Sequence, residues 1–169
     1  MAPTSYEPHR GPLAGLLVLD LTRVLAGPYC TMMLRDLGAR VIKIERPGQG
    51  DDSRHFPPFF PGTRDSGYFA SINRGKESLV VDLGQERGQE LIRELAAVSD
   101  LLVENFSPGL LERKGLDPQR LLAENPRLIV GRISGYGQTG PDSKLPAYDI
   151  TVQARGGLMS ITGPEGGEP

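Results

Sequence analysis

The sequence is poor in the residues on which cross-links, metal sites and histidine chemistry depend. Its 169 residues include one cysteine and two histidines. A lone Cys30 excludes a disulfide framework and points to a reducing compartment. Set among apolar helix residues, it reads as a buried, inert thiol. His9, His55 and Cys30 lie far apart with no ligand spacing, so no metal site is expected. Serine hydrolysis fails as well: Gly131-Arg132-Ile133-Ser134-Gly135 misses the G-x-S-x-G elbow by one residue, and His9 falls in a polar N-terminal stretch. Long apolar runs are missing too; nothing approaches the ~18 residues of a membrane span. Met1 to Pro12 carries neither a secretion h-region nor an Arg-rich import pattern, so a cytoplasmic protein with no membrane contact is expected. The formal net charge of −2 lacks the footprint of a nucleic-acid binder, whereas a small anion needs only a local basic cluster.

Two nucleotide signatures are also absent. The turn after the first apolar run offers only Gly27 in place of G-x-G-x-x-G, although Glu45 stands where a ribose-binding acid would. Gly75-Lys76 is followed by Glu77, without the spacing or the Ser/Thr of a P-loop.

What the sequence has in quantity is glycine and proline, 22 and 15 residues. They fall between apolar runs and so mark turns. Leu16 to Leu19 reads as a buried strand ending on Asp20. A turn through Thr22 to Gly27 leads to a helix opened by Pro28 and closed by Gly38. Val41, Ile42 and Ile44 form a second strand ending on Glu45. Leu79 to Val81, Leu101 to Val103 and Leu128 to Val130 read as further strands. A helix over Gln85 to Val98 and a short one around Arg120 to Ala123 separate them. This alternation predicts an α/β fold: a Rossmann-like open, mainly parallel sheet with helices on both faces. Residues 1–12 read as a flexible arm and 13–169 as one domain. Its end, from Gly156 on, lacks a closing element and reads as cut. Arg46 to Gly67 is too long and irregular for a plain connection and reads as a binding loop. Ligands of such folds lie beyond the carboxyl ends of the strands, where Arg46, Arg74, Lys76, Asn105 and Arg113 gather. Any one of them is an ordinary surface residue, but the set fits an anionic ligand, with Arg suited to phosphate.

Six blocks in order then resemble one family. They are Leu19 to Pro28, Leu37 to Gly48, Gly50-Asp51-Asp52-Ser53-Arg54, Asn73 to Ser78, Val103 to Gly109 and Gly135 to Pro141. Together they resemble family III CoA-transferases of the CaiB/BaiF type over residues 13–169. The resemblance implies the N-terminal part of a large domain from an interlaced homodimer. It also implies acyl-CoA and carboxylic acid substrates and no tightly bound cofactor. Coenzyme A contacts would fall on Val24, Leu25 and Ala26, on Arg46, on Val81, Asp82, Leu83 and Gly84, on Asn105 and Phe106, and on Arg113. Pro146, Ala147, Tyr148 and Asp149 would line the thioester end. Leu25 and Pro146 depart from relatives that carry Gln and Lys there.

In the implied reaction a carboxylate attacks the thioester, and the returning thiolate then makes an aspartyl-CoA thioester. The nucleophilic Asp would lie beyond Pro169, leaving Asp149 accessory at most and the 169-residue chain inactive alone. The blocks at Gly50 and Tyr136 resemble members that use succinyl-CoA and a dicarboxylate. Two alternatives stay open: a racemase-like enzyme on α-methylacyl-CoA, and a non-catalytic CoA-binding fragment. The racemase branch carries His where this chain has Tyr148, and a phenol is a poor base at neutral pH.

Overall fold

The computed structural model describes residues 10–167, so the first nine residues of the expected arm lie outside it. The chain divides into two units, Met1–Ile133 and Ser134–Pro169. The described part of the first holds a five-stranded parallel sheet in the order β3-β2-β1-β4-β5. Its elements are β1 (Leu17–Asp20), α1 (Ala26–Asp36), β2 (Arg40–Glu45), α2 (Gly67–Asn73), β3 (Glu77–Val80), α3 (Glu86–Val98), β4 (Leu101–Glu104), α4 (Leu110–Arg113), α5 (Pro118–Glu124) and β5 (Ile129–Arg132). In register, Val18 pairs with both Val41 and Leu101. The chain therefore winds outward from β1 through β2 to β3, then returns to β4 on the other side of β1. Such a reversal opens a crevice between the carboxyl ends of the two central strands.

Strand alternation divides the core into two layers, because successive side chains point to opposite faces. Leu19, Leu21, Ile44, Val81 and Leu102 pack against Ile92 and Ala96 of α3 and Leu121 of α5. Val18, Val41 and Val103 pack on the opposite face with Ala39 and, beside them, Leu34 of α1. Helix α3 forms because Leu91, Ile92, Leu95 and Ala96 share a stripe of helical period. Helix α5 starts where Asp117 accepts the Gln119 N–H at 2.9 Å, with Pro118 in its first turn, where a missing N–H costs nothing.

Two expectations need correction, the bounds of β3 and the burial of Cys30. Strand β3 begins at Glu77, two residues before its apolar run, and ends at Val80, because the backbone of this edge strand pairs with β2 from Ile42↔Glu77 to Glu45↔Val80 whatever the polarity of its side chains. The stretch from Arg46 to Gly67 contains a 3-10 turn over Asp52–His55 and an antiparallel bridge between Phe59 and Ser66. Ser66 then caps α2 by accepting the Phe69 N–H at 3.1 Å. Cys30 is exposed, because α1 buries Gly27, Pro28, Thr31 and Met32 and turns position 30 outward.

The described part of the second unit contains α6 (Asp149–Arg155) and a 3-10 turn over Leu158–Ile161. Arg155 pairs with Asp142 at 2.6 Å and lies over the Tyr136 ring, 5.0 Å from its centre. Gly135 is required by close approach, since a Cβ there would stand 1.9 Å from the Ala147 Cβ.

Candidate functional site

The turn after β1 is held by side chains acting on its backbone. The Thr22 N–H donates to Asp20 Oδ1 at 2.9 Å, and the Thr22 carbonyl accepts from Lys43 Nζ at 2.9 Å. Asn105 grips both sides of Arg23: its Oδ1 accepts the Arg23 N–H and its Nδ2 donates to the Arg23 carbonyl, each at 2.8 Å. The Val24 N–H donates to Asp51 Oδ1 at 3.1 Å. Val24 itself has φ of 70°, a left-handed conformation that is costly for a β-branched residue and survives only where the surroundings impose it. Close packing of α1 adds a further restraint. A Cβ on Gly27 would stand 2.3 Å from the Thr22 Cβ.

Beneath this turn lies an ionic layer. On the α1 side of the sheet the carboxyl ends of β1 and β2 present Asp20, Lys43 and Glu45, all buried, where an apolar core would otherwise continue. A buried charge is tolerated only when paired and hydrogen-bonded. Asp20 Oδ2 accepts from Thr31 Oγ1 at 2.6 Å and from Lys76 Nζ at 3.0 Å. Lys43 pairs with Asp51 Oδ2 at 2.8 Å. Glu45 takes both arms of Arg54 at 2.6 Å and the Ser78 hydroxyl at 2.6 Å, while its Oε2 also accepts the Asp51 N–H at 3.1 Å. Burial works against the Glu45 charge, but Arg54, Ser78 and the Asp51 N–H outweigh it and hold the carboxyl down at about 2. Asp51 is likewise held below the usual carboxylate range, Lys43 and Ser53 overcoming the cost of burial. Burial pushes Lys76 below its ordinary value despite the charge of Asp20.

Against this layer, at the carboxyl ends of β1 to β4, opens a cavity of about 370 Å³. Its walls include Leu21, Ile44, Val81, Leu83, Phe106 and Leu111, and its charged groups are Arg23, Arg46 and Lys114 together with Glu45, Asp51 and Asp82. Arg46 is tied down by Asp52 and by the Gly50 carbonyl, the latter at 3.0 Å. Arg23 leans on the same Asp52 at 3.7 Å, and its guanidinium lies 5.6 Å from the centre of the Phe106 ring. Asp52 thus occupies two guanidinium groups that also face the cavity. Glu45 and Asp51 are already neutralised by Arg54 and Lys43, so an apolar wall with the cations Arg23, Arg46 and Lys114 suits a ligand that carries both a ring or alkyl chain and phosphate.

Of the residues singled out in the sequence, the cavity brings together Arg46, Val81, Asp82, Leu83, Gly84 and Phe106. Asn105, Val24, Leu25 and Ala26 belong to the neighbouring turn rather than to the wall; Leu25 is exposed. Arg113 ends α4 outside the lining, and its neighbour Lys114 stands in the wall instead. Pro146 to Asp149 fall in the second unit, where Tyr148 is exposed and Asp149 opens α6, accepting from Gln153 Nε2 at 2.6 Å. Sequence reasoning missed Arg23 and Lys114 as members of the wall. Arg23 had a legible signal, following a strand end by three residues. Lys114 had none, because α4 is only four residues long.

Comparison with known proteins agrees in kind. The model of CoA-transferase family III matches residues 13–169. Human succinyl-CoA:glutarate CoA-transferase is 52% identical over 158 residues, covering 94% of this chain and 36% of the relative. Acetyl-CoA:oxalate CoA-transferase of Acetobacter aceti is 48% identical over 169 residues, all of this chain and 43% of the relative. The crystal structure of a CAIB/BAIF family protein from Brucella suis superposes with a TM-score of 0.87 at 46% identity, over 94% of this chain and 43% of that one. The chain therefore spans about two-fifths of the length of these relatives. A match over nearly every residue that builds the sheet, the turn and the cavity leaves one assignment: the chain belongs to CoA-transferase family III.

Proposed function

We propose that this chain supplies the coenzyme A-binding part of an enzyme that moves CoA from an acyl-CoA to a carboxylic acid. The observation that carries the reading is the cavity at the strand ends, apolar in its walls and cationic at Arg23, Arg46 and Lys114. Phosphates would meet the guanidinium groups, displacing Asp52 from them, and the apolar wall would take the uncharged part of the ligand. The names of the relatives favour succinyl-CoA as donor and a dicarboxylate as acceptor. Chemistry would proceed through a carboxylate beyond residue 169. That carboxylate attacks the thioester carbonyl, forming a C–O bond and releasing CoA thiolate. The thiolate then attacks the resulting anhydride, freeing the donor acid and leaving an aspartyl-CoA thioester for the acceptor to reverse. Asp149, exposed at a helix start, would be accessory. The working form would be a cytoplasmic homodimer.

Calorimetric titration of CoA into the protein and into Arg46→Ala tests the binding reading. Loss of one charge-assisted phosphate contact should weaken affinity about tenfold. Equal affinity in the two proteins would sink it. For the transfer step, the full-length enzyme should exchange labelled succinate into succinyl-CoA in heavy water without deuterating the α-carbon. Rapid α-deuteration with no exchange would mark a racemase instead.

A further inference from the structure

Asn105 stands beside the cavity, and the family resemblance would make it a ligand contact. The geometry supports another role, and we infer that Asn105 is a positioning residue, which presents Arg23 to the ligand by clamping that residue's backbone. The inference rests on the coenzyme A reading of the cavity.

The case begins with donors and acceptors. A primary amide offers one acceptor oxygen and a donor nitrogen side by side, the same pairing a neighbouring strand would present. Arg23 follows the end of β1, where the sheet ladder has stopped: the last ladder bond on this side is from Leu21 N–H to the Val103 carbonyl at 2.8 Å. Beyond it, the Asn105 side chain takes over, accepting the Arg23 N–H and donating to the Arg23 carbonyl at 2.8 Å each. Only one orientation of the amide satisfies both, so Asn105 extends the β1–β4 pairing by one residue with a side chain. Thr22 and Val24 on either side are held by Lys43 and Asp51, whose charges lie buried. Arg23 is thereby fixed at its backbone while its side chain, beside Asp52, reaches the cavity over Phe106. The amide face turned to Arg23 is spent on these bonds. The clamp thus gives Asn105 a route to the ligand through Arg23, which a direct contact from its remaining N–H would not need.

This role has a pH signature that packing lacks. In Asn105→Asp, a neutral carboxyl accepts the Arg23 N–H through its C=O and donates to the Arg23 carbonyl through its O–H, reproducing both bonds. Once ionised it can only accept, and it then faces the Arg23 carbonyl with like polarity. CoA affinity of the full chain is measured from pH 4.5 to 8 for the wild type, Asn105→Asp and Asn105→Ala, with amide hydrogen exchange at Arg23 followed in parallel. Asn105→Ala should bind about tenfold more weakly throughout, the cost of about one hydrogen-bond pair. Asn105→Asp should match Asn105→Ala at pH 8 and recover part of the wild-type affinity toward pH 4.5, because the bond to the Arg23 carbonyl favours the neutral form and draws the carboxyl above its ordinary value of ~3.9. Protection of the Arg23 amide should be lost in Asn105→Ala while β1 and β4 remain protected.

Wild-type affinity in Asn105→Asp at pH 8, where the ionised carboxylate has no proton to donate to the Arg23 carbonyl, overturns the inference. So does weakened binding in Asn105→Ala with unchanged Arg23 protection, which would mean direct ligand contact. No CoA binding by the wild type defeats the coenzyme A reading instead, and Arg23 exchange then decides by itself whether Asn105 holds the turn.

Discussion

Glu45 shows how much one buried side chain organises here. It ends β2, yet it receives Arg54 and the Asp51 N–H from the following loop and Ser78 from β3. Its carboxyl is held at about 2 in the folded state, below the ordinary value of 4.5. A depressed carboxylate contributes stability that is fully present above the unfolded value and is lost as pH falls through the folded one. The expected result is a melting temperature that is level near neutrality and falls steeply between pH ~4.5 and ~2, with a contribution of about 3 kcal/mol from this group. In Glu45→Gln that slope should flatten and stability at pH 7 should drop, as calorimetry at a series of pH values would show. Asp51, also held low, adds to the same acid limb. None of this pairing was legible in the order of residues. Glu45 resembled a ribose-binding acid by its position after a strand, and the partner that occupies it arrives from nine residues on.

At the scale of elements, periodicity was sufficient wherever an element was long or buried. The apolar period predicts a helix over Gln85 to Val98, and α3 runs Glu86–Val98, because Ile92 and Ala96 recur at the helical period and are fully enclosed. Ile92→Ala should therefore cost about 2–5 kcal/mol, as deleting a buried aliphatic side chain does elsewhere. Urea unfolding of wild type and variant at neutral pH would measure it, and a change under about 1 kcal/mol would mean the α3 layer collapses onto the gap. Short elements escaped the same reasoning. Helices α2 and α4 have seven and four residues, too few for an apolar stripe to declare itself. Their signals are instead local: the Ser66 cap in one case and the left-handed Gly109 in the other.

For the whole molecule, burial separates the two units. The first encloses Leu19, Ile92, Leu102 and Leu121 almost completely. In the second, none of the described residues of α6 is buried, and Ile150 and Ile161 are exposed at 66% and 82%. Local opening free energies follow enclosed apolar contact. Amide exchange in α6 should accordingly be faster than in β1 and β4 by several orders of magnitude, read by mass spectrometry of peptides from each unit. Equal protection would mean that the second unit is held by contacts other than its own core. Among the described residues no helix is long and apolar enough to cross a membrane.

The order of residues by itself determined the alternation of strands and helices, the parallel sheet and the strand ends where a ligand is sought, because these depend on local period and turn chemistry. It also carried the six family blocks. Tertiary structure decided the rest. Which of Arg23, Arg46, Arg113 and Lys114 face a common cavity depends on a short helix and on the return of the chain past β1 to β4. Asn105 meets Arg23 across 82 residues, and Lys76 meets Asp20 across 56. Pairings of that range arise from strand order, which no window along the sequence contains.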